Sequence, residues 1–189
     1  MILSGIDYSL CGPAICVYVS EGNETKFSFN NCNFYFLTKT KKYATLFGNN
    51  IHGERLIDWN HDCERYRSIA DWACEKVMGS NIIGLEGYSM GSKGKVFNIA
   101  ENTGVLKYKL WEEAYPVEIF APTEVKKFAT GKGNADKRAM HTCFQKDTGI
   151  NLNTMISPDK GKITSPVSDI VDAYYVCKLM HKKWTENYA

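Results

Sequence analysis

The sequence predicts a mixed α/β fold, a sheet covered by helices, and three observations carry that prediction. The first third is rich in β-forming residues punctuated by tight turns. Residues 82–86, Ile-Ile-Gly-Leu-Glu, are a short and almost wholly apolar run, as a strand buried on both faces requires. The segments on either side of that run carry apolar residues at helical spacing. Strands followed by alternating helices and strands place the chain in the α/β class.

Taken in order, residues 2–9 and 13–20 read as two strands joined by a tight turn at Leu10-Cys11-Gly12-Pro13. Lys26 to Leu37 reads as a third, with Phe27, Phe29, Phe34 and Phe36 supplying the β-propensity. Short connections make these three an antiparallel meander. From Thr38 to His61 the pattern is lost, and a long functional loop is expected, with at most a helical turn. Asp62 to Met78 is an amphipathic helix with Cys63, Tyr66, Ala70, Ala73 and Val77 on one face, ended by Gly79-Ser80-Asn81. Beyond the 82–86 strand, Gly87, Gly91 and Gly94 loosen the chain. Val96 to Tyr115 is a second helix, with Ile99, Thr103, Leu106, Leu110 and Ala114 in register. Its Gly104 costs roughly 1 kcal/mol relative to Ala, which suggests close packing there. Pro116 to Phe120 is a strand, and Pro122 opens a short helix that ends near Gly131. Asn134 caps a helix from Ala135 to about Asp147. Residues 148–165 are irregular, with a turn at Pro158-Asp159-Lys160-Gly161, and the last helix runs from near Ser168 to near Trp184.

At 189 residues, one compact domain spanning 1–189 is expected. A net charge of +2 does not announce a polyanionic partner, so local clusters must carry that argument. Seven cysteines, an odd number without Cys-x-x-Cys, disfavour a zinc site or a disulfide framework and point to a reducing cytoplasm. No apolar run reaches membrane-spanning length, so no membrane association is expected. Nor does the N-terminus look like a signal peptide. The residues His52, His61, His141 and His181 lack ligand spacing, and the four tryptophans read as core or interface.

Acids stand where they are costly. Asp7 ends the apolar run of the first strand, and Glu86 ends the 82–86 strand. Asp169 and Asp172 are three apart at a helix start and share a face. Each has an ordinary explanation: acids favour a first helical turn, Ser168 can cap it, and strand-end acids are often solvated. Together they suggest four carboxylates around one point, a cluster that repels itself unless divalent cations neutralise it. Oxygen-only ligation suits Mg²⁺ or Mn²⁺. Two such ions roughly 3.5–4 Å apart can hold the attacking and leaving oxygens of a phosphodiester. A second signal is the run from Val125 to Arg138, which holds Lys126, Lys127, Lys132, Lys137 and Arg138 against the single acid Asp136. Its Gly131 and Gly133 approach a helix N-terminus, where backbone N–H groups can hold a phosphate. Basic groups beside an acidic metal site suit a polyanionic substrate.

Gly5-Ile6-Asp7, Glu86, the Val125–Lys137 segment and Ser168-Asp169-x-x-Asp172-Ala173 resemble the RuvC family of Holliday-junction resolvases, within the ribonuclease H-like nucleases. The order and approximate spacing hold over nearly the whole chain. The segment with Lys126, Gly131, Gly133, Ala135 and Lys137 is the most specific match. The Glu86–Gly94 loop is similar to phage-encoded members. The resemblance implies an α/β ribonuclease H-like fold with a mixed five-stranded sheet, elements in the order βββαβαβα and helices on both faces. It implies a homodimer that resolves branched DNA, the four-way junction above all, with two Mg²⁺ per site, or Mn²⁺ in their place. Asp7, Glu86, Asp169 and Asp172 would be metal ligands and catalytic, with Lys137 acting at the scissile phosphate. DNA contacts would come from Lys126, Lys132, Lys137 and Arg138, and from Tyr88, Met90, Lys93 and Lys95 in the 87–95 loop. The setting would be the cytoplasm of a bacterium or phage-infected host. Two positions depart from cellular members: Tyr8-Ser9 replaces Pro-Gly after the first Asp, and Ser89 replaces the aromatic three residues after the Glu.

Other readings compete. Gly5-Ile6-Asp7-x-Ser9 with Gly12 also resembles the first phosphate motif of actin- and Hsp70-like ATPases, but the chain is too short for that duplicated fold. A non-catalytic junction-binding protein would not need four acids. A ribonuclease H-like nuclease acting on flaps, forks or RNA–DNA hybrids has the same chemistry on another substrate. The apolar arc of the 96–115 helix, with Val96, Phe97, Val105, Tyr108 and Trp111 beside the in-register set, exceeds what one sheet face needs. It suits a dimer interface or a covering by the 38–61 loop.

Overall fold

The computed structural model describes residues 1–20, 26–88, 96–158 and 161–188. Among these, seven strands form one mixed sheet: β1 (Ile2–Asp7), β2 (Ala14–Val19), β3 (Cys32–Thr38), β4 (Leu46–Phe47), β5 (Ile51–Arg55), β6 (Ile82–Glu86) and β7 (Val117–Phe120). Their order across the sheet is β4-β5-β3-β2-β1-β6-β7. The helices are α1 (Asp62–Lys76), α2 (Val96–Glu112), α3 (Pro122–Thr130), α4 (Lys137–Thr148), α5 (Leu152–Ile156) and α6 (Val167–Tyr188).

The meander β1-β2-β3 is antiparallel, as expected. Strand β6 pairs with β1 and β7 with β6, both parallel. The expected count of five strands is too low. The 38–61 stretch is not a loop but adds β4 and β5, with β5 parallel to β3, Phe36 opposite Gly53 and Thr38 opposite Arg55. The third strand is also shorter than expected, because residues 29–31 form a 3-10 turn capped by Ser28.

Strand parity sorts the side chains. Ile2 and Ile6 of β1, and Ile83 and Leu85 of β6, face one core with Ile69, Ala70 and Ala73 of α1 and Leu106 and Leu110 of α2. Leu3 and Ile82 face the other core, built with Val125 of α3, Phe144 of α4, Ile156 of α5 and the length of α6. By the same alternation Gly5 and Asp7 belong with Leu3, and Gly84 and Glu86 with Ile82. Both strand-end acids therefore lie on the face that α6 covers.

Candidate active site

Helix α6 is placed by two glycines. Gly5 and Gly84 are direct partners across β1 and β6. A Cβ on Gly5 would lie 2.2 Å from the Cys177 backbone nitrogen, and one on Gly84 would lie 3.2 Å from Val176 Cγ1. The helix thus rests directly on the strand pair, and the Cys177 thiol donates to the Leu3 carbonyl at 3.5 Å. Five residues of helix separate Cys177 from Asp172, about 7.5 Å, which matches the roughly 6.6 Å from Gly5 to Asp7 along the strand. Running opposite to β1, α6 brings Asp172 level with Asp7. Asp169, one turn earlier, shares that face with Asp172 and Val176.

The electrostatics register the convergence. Burial holds the Asp7 carboxyl well above the usual carboxylate range, and Glu86, Asp172 and Asp169 push it further, with Lys137 opposing. Burial raises Glu86 to about 7, against Lys126 and a hydrogen bond from Asp7. Asp172 is raised to about 8 by burial, then Glu86 and Asp169, with Lys137 and Lys126 opposing. The four predicted acids and two of the predicted lysines therefore share one field. Asp7 and Glu86 line a cleft of about 370 Å³ whose remaining wall includes Tyr8, Tyr88, Ile99 and Pro122.

Asp169 is held by neighbours that the sequence alone does not single out. Ser168 Oγ donates to its Oδ1 at 2.8 Å and Ser165 Oγ to its Oδ2 at 2.5 Å. Ser168 in turn accepts from Lys137 Nζ at 3.1 Å, so the lysine reaches the acid through a hydroxyl. Ser168 is thus not the helix cap; it lies inside α6, which starts at Val167. Gly12, in the β1–β2 turn, closes the arrangement: a Cβ there would lie 3.0 Å from Asp169 Oδ2 and 2.9 Å from Ser165 Oγ. Of these neighbours only Gly12 and Ser168 carry a sequence signal, and it points elsewhere, to a tight turn and to a helix cap.

The basic segment is built differently from expectation in one respect. The α4 N-cap is Asp136, not Asn134, and its carboxylate accepts from the Ala139 N–H at 2.8 Å. That helix start is therefore occupied by its own acid and does not present the open phosphate seat read from Gly131 and Gly133. Lys132 is exposed beyond the left-handed Gly131, and Arg138 is exposed on a groove shared with Lys162 and His141. Neither forms an ion pair among the described residues. Tyr88 is 44% exposed at the cleft. Met90, Lys93 and Lys95 lie outside the described residues.

The donor set, four carboxylates with at least three holding raised affinities for protons, suits a hard divalent cation, which would offset their mutual repulsion. Among the described residues no three acidic, His or Cys side chains are gathered tightly enough to form a ready-made ligand group.

No family model matches the sequence. The crossover junction endodeoxyribonuclease RuvC of Corynebacterium glutamicum is 31% identical over 85 residues, which are 44% of this chain and 38% of that protein. The match thus spans well under half the length of the relative. Among solved structures, Thermus thermophilus RuvC in complex with Holliday junction substrate superposes with a TM-score of 0.62 at 16% identity, over 98% of this chain and 97% of that one. Fowlpox virus resolvase, solved with Holliday junction DNA, gives 0.53 at 13% identity, over 97% and 98%. The chain resembles RuvC-type resolvases in sequence, and its fold is theirs, ribonuclease H-like, with a seven-stranded mixed sheet.

Proposed function

We propose that this chain, RuvC-like in sequence and in fold, is an endodeoxyribonuclease that resolves four-way DNA junctions by hydrolysing phosphodiester bonds. The observation that carries the reading is the meeting of Asp7, Glu86, Asp169 and Asp172 at the end of two parallel strands, with Lys126 and Lys137 in the same field. A nuclease needs a place for cations among acids and a source of positive charge at the scissile phosphate, and these acids and lysines fit both needs. Asp7, Glu86, Asp169 and Asp172 would hold divalent cations, Mg²⁺ with Mn²⁺ as substitute. Such ions, when bound, supply an activated water and charge for the leaving oxygen. Lys137, tied to Ser168, is positioned to place an ammonium against the developing phosphate charge. Lys126, Lys132 and Arg138 extend positive charge along α3 and α4 for the DNA backbone. Tyr88, with Tyr8 and Ile99 behind it, offers an aromatic wall for an unpaired base at the crossover.

A junction with two-fold symmetry is cut on two strands, so a two-fold dimer fits it. Helix α2 supports that assembly: Phe97 is 84%, Tyr108 58% and Trp111 73% exposed. The 38–61 stretch leaves these three side chains exposed, and only its last residue, His61, borders the groove beside Gly104 and Tyr108 among the described residues. A Cβ on Gly104 would meet nothing within 4 Å, leaving room for a partner helix. No helix among the described residues is long and apolar enough to cross a membrane. We read residues 1–189 as one nuclease domain acting on cytoplasmic DNA.

The test is a panel of labelled four-way junction, fork, flap, RNA–DNA hybrid and linear duplex, each with Mg²⁺ or EDTA. Paired symmetric nicks in the junction, dependent on the cation, are expected. Preferential cutting of the hybrid or flap would move the substrate while keeping the chemistry. No cleavage of any substrate would overturn the reading.

A further inference from the structure

Residues 38–61, which add β4 and β5, also carry positive charge that the expected site does not use. Because β2 is antiparallel to both its neighbours, β1 and β3 are parallel, and so are β5, β6 and β7. All five end at the same edge of the sheet. Along that edge stand Arg55 at the end of β5, Thr38-Lys39 at the end of β3, Gly12 in the β1–β2 turn, Asp7 and Glu86. Lys41 and Lys42 follow in the next 3-10 turn. Lys39, Lys41, Lys42 and Arg55 are all exposed, and none forms an ion pair among the described residues. The neighbouring acid, Glu54, is already neutralised by Lys76 at 3.0 Å. The next acids along the chain are Asp58, in the segment before α1, and Asp62, its first residue.

This strip is joined to the acid cleft by fixed contacts. The position a Cβ would take on Gly12 lies 3.0 Å from Asp169 Oδ2 and 3.7 Å from the Leu37 carbonyl, so the end of β3 is one residue's width from the site. Arg65 Nε donates to the Leu10 carbonyl at 3.1 Å while its guanidinium lies 4.2 Å from the centre of the Trp59 ring. Lys39 Nζ lies over the same ring, also at 4.2 Å. Trp59 thus seats a lysine whose charge would otherwise swing on a free stem. The Tyr43 hydroxyl meets Ser157 Oγ, which ties the Lys41–Tyr43 turn to the connection between α5 and α6. Two to three strand spacings separate this strip from Asp7, roughly 10–15 Å. That is the span of roughly three to four phosphates on one strand of a duplex.

We propose that Lys39, Lys41, Lys42 and Arg55 form a second phosphate track, along which a duplex arm of the bound DNA runs from the acid cleft across the ends of β3 and β5. The proposal rests on the nuclease reading above. Its substrate is double-stranded DNA, recognised through the backbone and without regard to sequence.

The experiment measures binding of a fluorescent four-way junction across a range of salt concentrations. The proteins are the 189-residue chain and the variant carrying Lys39→Ala, Lys41→Ala and Lys42→Ala together, both in EDTA. With long arms, the slope of log K against log salt should flatten by roughly 2.7 in the variant, about 0.9 for each phosphate that the protein no longer neutralises. With arms cut back below the reach of the track, the two proteins should bind alike. Circular dichroism of the variant should match the parent, since all three side chains are exposed. Equal slopes on long arms, in a protein that binds and cuts junctions, would overturn the track alone. A parent chain with no affinity for DNA would overturn the nuclease reading and the track with it.

Discussion

Gly12 carries no functional group, yet the placement of Asp169 depends on it. Alanine there would press a methyl group on the Asp169 carboxylate and the Ser165 hydroxyl, both ends of side chains that can move. Gly12→Ala should therefore fold normally but displace the carboxylate. Outer-shell changes of this kind typically cost roughly 10–100-fold in metal affinity or activity. Titration of Mn²⁺ by calorimetry beside a cleavage assay would check it; unchanged affinity and rate would remove Gly12 from the account. The acids themselves predict a pH dependence. The folded carboxyls of Asp7, Glu86 and Asp172 sit above the unfolded value of roughly 4, so between these limits the native state holds more protons. Stability then falls as pH rises through about 7 and about 8, where the native cluster must ionise. Melting temperatures in EDTA should drop from pH 5 to pH 8.5, and Asp7→Asn should flatten that trend. A wild type whose melting point rises over this range would contradict the raised affinities. At this scale the sequence is informative about charge and silent about support. Asp7, Glu86, Asp169 and Asp172 stand out because acids are costly in apolar runs. Ser165 and Gly12 are ordinary residues in ordinary turns, and only the fold makes them neighbours.

At the scale of elements, the glycine pair under α6 sets the site. A Cβ on Gly5 would meet the backbone of Cys177, which cannot rotate away. Gly5→Ala should cost about 3 kcal/mol or more, at the upper end for overpacking, because helix and sheet must separate. Chemical denaturation would measure it, and a loss below about 1 kcal/mol would mean that α6 is seated elsewhere. The same elements show what can be read in advance. The β6 strand is legible with its bounds because its apolar run is continuous, and α1 and α2 are legible by their spacing. Strands β4 and β5 are hidden for a physical reason. Only Ile51 among their residues is fully buried, Gly53 must be glycine because Phe36 and the Tyr43 carbonyl press on it, and the pairing comes from the open edge of β3. Such a strand is specified by its neighbour rather than by its own pattern. The α4 cap lies two residues beyond the expected one because Asn134 and Asp136 are both good caps, and the choice between them lies in the turn geometry.

At the scale of the whole molecule, the exposed aromatics of α2 and the symmetry of the proposed substrate lead to the same expectation. Phe97, Tyr108 and Trp111 beside the open Gly104 form an apolar surface larger than scattered exposed residues would give. Sedimentation at micromolar concentration should give about twice the 21.4 kDa chain mass, and Gly104→Leu should shift it toward the monomer. A wild type that remains monomeric with junction bound, yet makes paired nicks, would contradict the symmetry argument. The central claim, however, is that four acids at the end of β1, β6 and α6 form a cation-dependent site for cutting DNA. Its most direct test is cleavage and binding of a labelled four-way junction by wild type and Asp7→Asn in Mg²⁺. Paired nicks are expected from the wild type and none from the variant, with junction affinity largely retained by both, since the lysines and arginines would supply the phosphate contacts. Cleavage by Asp7→Asn at the wild-type rate, or undiminished cutting by the wild type in EDTA, would contradict it.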